Sequence, residues 1–260
     1  MNQNDILTTP PDFIPYQSTL ADRVVLVTGA ASEIGSAVVL AAAKSGAAVL
    51  MLDRKQRSMT ALYDAICDQG LAQPMMIEFD MVRADSRAFE TLGTSLLAQF
   101  PEIHGLVHCA MWGAALTPAP HAEMETWSQV LNQQLIKPMY LTKTLCPNLN
   151  HPNPVSIIFT VMDIGRVGRA YWGAVGAAFA SVENLCESLS AEFFDYKTRV
   201  NTVDPGKVKT AIRKHFYPGE TDEGLREAND TEIVNAYLYL LSDASNQQTA
   251  KRFSVTPLAG

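Results

Sequence analysis

The chain of 260 residues carries 20 Lys and Arg against 27 Asp and Glu, which gives a formal net charge of −7. This balance provides no broad positive surface for a phosphate backbone, so we expect no nucleic-acid partner. Because 47% of the residues are apolar and only 18% are charged, the composition excludes a disordered chain and allows a sizeable core.

The sequence contains no recognisable targeting or membrane segment. Its first residues have neither a positive region nor an apolar stretch, and no later run approaches the roughly 20 apolar residues of a membrane span. We therefore expect a cytoplasmic protein with no membrane partner. The four cysteines, Cys67, Cys109, Cys146 and Cys186, form no CxxC pair, which predicts free thiols and no metal site.

Seven apolar runs recur along the chain and alternate with segments that have the apolar spacing of helices. The runs cover residues 24–28, 48–52, 75–79, 105–109, 156–160, 199–203 and 253–255. Alternating strands and helices predict a Rossmann-type, doubly wound parallel sheet of about seven strands, flanked by helices. We expect an N-terminal arm at residues 1–19 and a single domain at residues 20–260.

The turn after the first run is rich in small residues. Residues 27–36 read V-T-G-A-A-S-E-I-G-S and lie where a strand passes into a helix, the place where backbone N–H groups can hold a pyrophosphate. Asp53 follows Gly35 by 18 residues, about where a carboxylate takes a ribose 2′-hydroxyl. This spacing favours NAD over NADP, although the adjacent Arg54 could instead accept a 2′-phosphate.

These residues carry a resemblance to the short-chain dehydrogenase family. Thr28, Gly29 and Gly35 match the family's T-G-x-x-x-G-x-G turn, and the run G-R-V-G-R-A-Y-W-G-A at 165–174 is similar to its bacterial YciK-like branch. The resemblance extends from about Leu20 to Pro257 and implies an NAD(P)-dependent oxidoreductase fold. The cofactor-binding positions that it implies are Thr28, Gly29, Ser32, Ile34, Gly35, Asp53, Arg54, Asp80, Met81, Ala110, Pro205, Gly206, Val208 and Thr210.

Two residues depart from the family's cofactor site. Glu33 stands at the middle glycine, where it adds a side chain and, if it points inward, a negative charge beside the phosphates. Met111 stands at the glycine of the N-N-A-G motif, of which residues 108–111 keep only Ala110. We therefore expect weak or lost cofactor binding.

The four catalytic positions of the family are all changed. The resemblance places Val175 at the tyrosine, Ala178 or Phe179 at the lysine, and Met162 at the serine, with Asp163 as the polar neighbour of Met162. Gln134 stands at the asparagine. None of the residues at the tyrosine and lysine positions can donate a proton or carry a charge.

Two hypotheses about function follow from these changes. One is a pseudoenzyme, kept for nucleotide binding or as a scaffold. The other is an NAD(P)-dependent oxidoreductase with non-standard catalytic residues, for which Tyr171 is the nearest surrogate acid. The residues identify no small-molecule substrate.

Two further expectations concern a lid and self-association. The charged segment 207–231 resembles the family's substrate lid, and it is either a solvated mobile loop or, through Lys207, Lys209, Arg213, Lys214 and His215, an anion site. Helices predicted at residues 134–149 and 172–193 are those that pair across a two-fold axis in relatives. We therefore expect a homodimer or a homotetramer.

Overall fold

A computed structural model describes residues 6–146, 154–165, 168–193 and 197–255. In these ranges the chain forms one eight-stranded, wholly parallel sheet in the order β1-β8-β7-β6-β5-β2-β3-β4. The strands are β1 Ile6–Leu7, β2 Val24–Thr28, β3 Ala48–Asp53, β4 Met75–Glu78, β5 Gly105–His108, β6 Val155–Thr160, β7 Thr198–Asp204 and β8 Arg252–Ser254.

Helices cover both faces of this sheet. They are α1 Glu33–Lys44, α2 Gln56–Cys67, α3 Ser86–Gln99, α4 Met124–Leu131, α5 Lys137–Thr144, α6 Gly173–Glu192, α7 Ala211–Phe216 and α8 Thr231–Leu241. Helices α1, α2 and α8 contribute to the core on one face, and α3 to α6 contribute to the core on the other. The doubly wound sheet predicted from the sequence is confirmed, and each predicted run corresponds to a strand.

The strand that sequence patterns missed is β1, within the predicted N-terminal arm. Its two residues pair with the edge strand β8, Ile6 with Arg252 and Leu7 with Phe253. A two-residue strand has too few positions to show alternation, so the pattern of apolar residues could not reveal it.

A continuous helical stretch joins α4 to α5 through a π-turn at Asn132–Ile136. It corresponds to the helix predicted at residues 134–149, of which residues 147–149 lie outside the described ranges. The helix predicted at 172–193 is α6, which begins at Gly173. No helix in the described part of the chain is long and apolar enough to cross a membrane.

Buried charges connect α6 to the sheet. The guanidinium of Arg252, which is fully buried on β8, donates to the carboxylates of Glu183 on α6 and Asp204 on β7, the latter at 2.6 Å. The buried guanidinium is thus paired with two carboxylates, and burial raises the pKa of Asp204 to about 7. The triad holds the helix that carries Val175 against the strand that leads to the Pro205-Gly206 turn.

Candidate dinucleotide cleft

A cleft opens at the carboxyl edge of the sheet, where β2 passes into α1. Gly29 has a φ of +64°, and a Cβ built on it would lie 2.7 Å from the Cα of Ala110. A Cβ on Gly35 would lie 2.1 Å from the carbonyl oxygen of Gly29. Both positions therefore require glycine, and the turn brings backbone N–H groups to the start of α1 as phosphate binding demands.

Ser32 stabilises this turn from within. Its hydroxyl donates to the carbonyl of Gly29 at 2.7 Å and accepts from the N–H of Gly35 at 3.1 Å, which makes Ser32 the N-cap of α1. Thr28 and Gly35 are buried behind the wall of the cleft and support it.

The cleft has two compartments, and the first lies over the ends of β2, β3 and β4. It brings together seven of the predicted cofactor residues, and beside them lie Lys55 and Gln133. The seven are Gly29, Ser32, Asp53, Arg54, Asp80, Met81 and Ala110. This compartment is the one in which the sequence places the adenosine half of a dinucleotide.

The carboxylate of Asp53 is already engaged by the backbone. Its Oδ2 accepts from the N–H of Ala31 in the glycine turn at 3.0 Å, and its Oδ1 accepts from the N–H of Lys55 at 2.9 Å. Asp53 thus ties the end of β3 to the turn after β2. Two cationic side chains, Arg54 and Lys55, line the same compartment.

The second compartment lies between the start of α1 and α7. Its walls include three predicted cofactor residues, Ser32, Ile34 and Thr210, together with Glu33, Met111 and His215. The carboxylate of Glu33 does not turn toward the glycine backbone. Its Oε1 accepts from the N–H of Ala211, the first residue of α7, at 2.9 Å. Glu33 therefore spans the second compartment.

The turn after β7 leads to α7, the helix whose first N–H bonds to Glu33. Gly206, with a φ of +77°, donates its N–H to Asp204 at 2.9 Å, and the buried Val208 pairs with Arg226. Thr210, one of the predicted cofactor residues, caps α7 by accepting from the N–H of Arg213 at 3.2 Å. Pro205 is buried at the start of the same turn.

The lid segment is more regular than the sequence indicates. Besides α7, it contains the ion pairs of Arg213 with Glu220 at 2.6 Å and of Lys209 with Asp222 at 2.6 Å. Neither prediction for segment 207–231, a solvated loop or an anion site, included these acidic partners. They neutralise two of the five predicted cations and fold the segment back on itself.

The positions that the resemblance assigns to the family's tyrosine and lysine hold apolar residues. Val175, only 3% exposed, and Ala178 and Phe179 one turn later face the core from α6. Met162 is half-buried just beyond β6, and its polar neighbour Asp163 pairs with Arg169 at 3.0 Å. Gln134, in the π-turn, is buried and donates to the carbonyl of Trp112 at 2.7 Å.

Tyr171 precedes α6 and therefore shares no helix face with Val175. It is 56% exposed and has a φ of +74°, unusual for an aromatic residue. Both Tyr171 and Val175 line a narrow gap beside Trp127, and the other residues around this gap are uncharged, mostly alanines and threonines.

Aromatic side chains fill the space between α6 and α7. Trp172 packs against Phe216 with ring centroids 4.8 Å apart, and against Tyr217 at 5.5 Å. A Cβ on Gly113 would lie 2.3 Å from the ring of Phe216, so this glycine lets the ring enter. These contacts hold α7 down over the second compartment.

Sequence patterns missed the buried polar groups below the cleft. Burial lowers the pKa of His108 to about 3, and its Nε2 lies 3.1 Å from Thr142 Oγ1. Burial also raises the pKa of Cys109 to about 12, which excludes it as a thiolate. Local sequence does not reveal the distant partners of His108 and Cys109. The replaced N-N-A-G motif marks only the segment in which these two residues lie.

The parallel sheet, the glycine turn and the cleft define a dinucleotide-binding α/β protein. The family profile for short chain dehydrogenase matches residues 23–221, and the chain belongs to that family. It is 30% identical to the uncharacterized oxidoreductase YciK of Escherichia coli K12 over 243 residues, which span 94% of this chain and 95% of that protein.

Two solved structures resemble the whole domain. A short chain dehydrogenase from Shigella flexneri in complex with NADP superposes with a TM-score of 0.87 at 30% identity, covering 93% of this chain and 100% of that one. One from Escherichia coli CFT073 in complex with NADPH superposes with a TM-score of 0.88 at 30% identity, covering 94% and 100%.

The prediction that Asp53 selects NAD is wrong, because these neighbours are complexes with NADP and NADPH. The spacing from Gly35 located Asp53 correctly, but its carboxylate bonds to backbone N–H groups, as described above. The adjacent cationic side chains of Arg54 and Lys55 are the groups suited to a 2′-phosphate.

Proposed function

We propose that this chain is an NADP(H)-binding member of its family that does not transfer hydride to carbonyl or alcohol substrates at the family's rates. It would serve instead as a nucleotide-responsive or scaffolding protein. The observation that carries the proposal is the buried apolar cluster of Val175, Ala178 and Phe179 at the positions of the family's proton donor and its lysine.

The residues of the first compartment fit the adenosine half of NADP(H). The cradle formed by Gly29 and Gly35 is one that any Cβ would fill. Arg54 and Lys55 supply positive charge for a 2′-phosphate, and Ala110 forms part of the opposite wall. When bound, the cofactor supplies a hydride donor or acceptor, whereas a carbonyl substrate also needs a proton at its oxygen.

Few of the protein's own side chains could supply that proton to a carbonyl oxygen. Positioned acid/base catalysis contributes about 10²–10⁴-fold. Val175 has no exchangeable proton, and the Trp172–Phe216 contact fills the space in front of α6. Loss of the proton path together with retention of the nucleotide cradle supports a binding role over an enzymatic one.

The alternative is an oxidoreductase with other catalytic groups. One observation favours it: His215 lines the same compartment as Thr210, so a titratable ring is available on the lid. Tyr171, by contrast, is exposed and separated from α7 by Trp172.

The test measures binding and turnover on the same preparation. Calorimetry with NADP⁺ should give binding, and a panel of alcohols and ketones with NADP(H) should show turnover at least about 10²-fold below family rates. Turnover at family rates would refute the proposal. If His215→Asn or Tyr171→Phe then abolished that turnover, the oxidoreductase alternative would replace it.

A further inference from the structure

The contact between Glu33 and Ala211 joins two segments that a dinucleotide must pass between. Glu33 opens α1, beside the glycine turn, and Ala211 opens α7, the helix of the lid. The 2.9 Å hydrogen bond between the Glu33 carboxylate and the Ala211 N–H is a bond between residues 178 positions apart. It is therefore a tertiary contact that holds the lid against α1, not a contact within one helix.

The Glu33–Ala211 bond borders only one of the two compartments of the cleft. Glu33, Ala211 and Thr210 line the second compartment and are absent from the walls of the first. The first compartment contains Arg54 and is bordered by neither partner of this bond, although Ser32 and Lys55 line both compartments. A ligand confined to the first compartment does not meet the bridge, whereas a ligand that extends into the second must displace it.

The charge of Glu33 adds to this steric effect. The Glu33 carboxylate bonds the Ala211 N–H rather than the glycine backbone, but it remains at the first turn of α1, whose N–H groups would attract a diphosphate. Like charges a few ångströms apart repel, and an anion entering there competes with Glu33. The ion pairs and aromatic contacts of the lid keep α7 in place, so breaking the Glu33–Ala211 bond and moving α7 costs free energy.

From this geometry we propose that Glu33 is a latch that selects among adenine nucleotides. The closed cleft accepts an adenosine that carries ribose phosphates in the first compartment. It accepts the whole dinucleotide only after the Glu33–Ala211 bond breaks and α7 moves. The proposal rests on the nucleotide-binding role proposed above and adds which part of the nucleotide the closed protein recognises.

Two variants break the latch from opposite sides. Glu33→Ala removes the acceptor and the charge. Ala211→Pro removes only the donor N–H, and proline is well tolerated at the first position of a helix. The preceding Thr210 has an extended backbone, with φ −138° and ψ 155°, which suits a residue before proline. Glu90→Ala, which removes an exposed acid from α3 outside the cleft, is the matched control.

The experiment compares two probes by calorimetry, 2′,5′-ADP for the first compartment and NADP⁺ for both. We expect Glu33→Ala and Ala211→Pro each to tighten NADP⁺ binding about tenfold, or about 1.4 kcal/mol. Binding of 2′,5′-ADP should stay within about twofold of the unmodified protein, as should both probes with Glu90→Ala. Hydrogen exchange of unliganded protein should quicken at residues 211–216 in the two latch variants only.

The outcomes separate the latch from the proposed function. If 2′,5′-ADP binds but NADP⁺ affinity and exchange at 211–216 are unchanged in both latch variants, the latch is refuted and the nucleotide-binding role stands. If Glu33→Ala tightens both probes equally and Ala211→Pro tightens neither, Glu33 acts by charge alone and the latch is refuted. If neither probe binds any variant, both proposals fail.

Discussion

The side-chain amide of Gln134 donates to the main-chain carbonyl of Trp112 at 2.7 Å, across the gap between the π-turn and the wall of the cleft. Single π-turns inside helices are frequent at functional sites. Here the additional residue of the π-turn places the buried side chain of Gln134 toward the loop that follows β5. The position assigned to the family's asparagine thus keeps a polar contact to the cleft although the residue has changed.

Replacing Gln134 by Ala should destabilise the protein by about 1–3 kcal/mol, because a buried carbonyl loses its donor. It should also shift the tryptophan fluorescence, since Trp112 loses its tether. Denaturant unfolding and emission spectra measure the two effects. Gln129→Ala, on the exposed side of α4, is the control, and equal behaviour of the two variants would contradict the structural role.

The stability of the protein should fall on mild acidification because of His108. Its pKa is lowered to about 3 by burial, whereas an unfolded histidine titrates near 6.5, so below about pH 6.5 only the unfolded state takes up the proton. The loss is about 1.4 kcal/mol per pH unit and continues until the pH reaches the folded pKa.

The variant His108→Gln isolates this contribution from those of the acidic residues. Between pH 7 and pH 5, the stability of the unmodified protein should fall by about 2 kcal/mol more than that of the variant. Urea unfolding at the two pH values measures the difference. The exposed His121→Gln is the control, and a variant that loses stability as steeply as the unmodified protein would disprove the assignment.

Arg54 should determine the preference for a 2′-phosphate. We expect Arg54→Ala to weaken binding of 2′,5′-ADP by about tenfold, the value of one charge-assisted hydrogen bond, and to leave binding of ADP nearly unchanged. Calorimetry with both nucleotides gives the ratio. Arg87→Ala on α3 serves as the control, and an equal loss for both nucleotides would show that Arg54 does not contact the 2′ position.

Restoring the family's residues on α6 should not restore activity. Val175→Tyr and Phe179→Lys place a phenol and an ammonium in a packed core, which costs stability through overpacking and burial of charge. Since catalytic groups act as a unit, the double variant should stay far below family rates while Met162 and Gln134 are unchanged. Family-like turnover in a folded double variant would contradict this expectation.

Self-association should depend on the groove between α5 and α6. Apart from Asn184, its residues are apolar or small, among them Ile136, Met139, Ala180 and Leu185, and Ile136 is 43% exposed. Ala180→Glu should convert a dimer or tetramer to a smaller species by light scattering, because it buries a charge in a self-complementary patch. Ala61→Glu, on the exposed side of α2, is the control. A monomeric unmodified protein at micromolar concentration would rule out the predicted assembly.

Local patterns were sufficient for the strands and for the glycine turn. Runs of β-branched and aliphatic residues located the seven longer strands, and Gly46, with a φ of +91°, follows the C-cap Ser45 of α1. The resemblance indicated, by register, several of the residues that line the cleft.

Side-chain partners were beyond the reach of the sequence. The spacing of Asp53 from Gly35 indicated a ribose contact, yet a nearer donor, the Ala31 N–H, holds its carboxylate. The same is true of Glu33, whose partner lies in the lid, and of Phe216, whose ring enters beside Gly113. These contacts depend on how distant loops meet, and no periodicity or motif encodes that arrangement.

The pairing of β1 with β8 has a consequence for biosynthesis. Ile6 is translated long before its partner Arg252, which is made only after strands β2 to β7. Until then the early strand has no neighbour, and closing so long a loop is entropically unfavourable. A nascent chain can therefore complete most of its sheet while its amino-terminal segment is still open to proteases and chaperones.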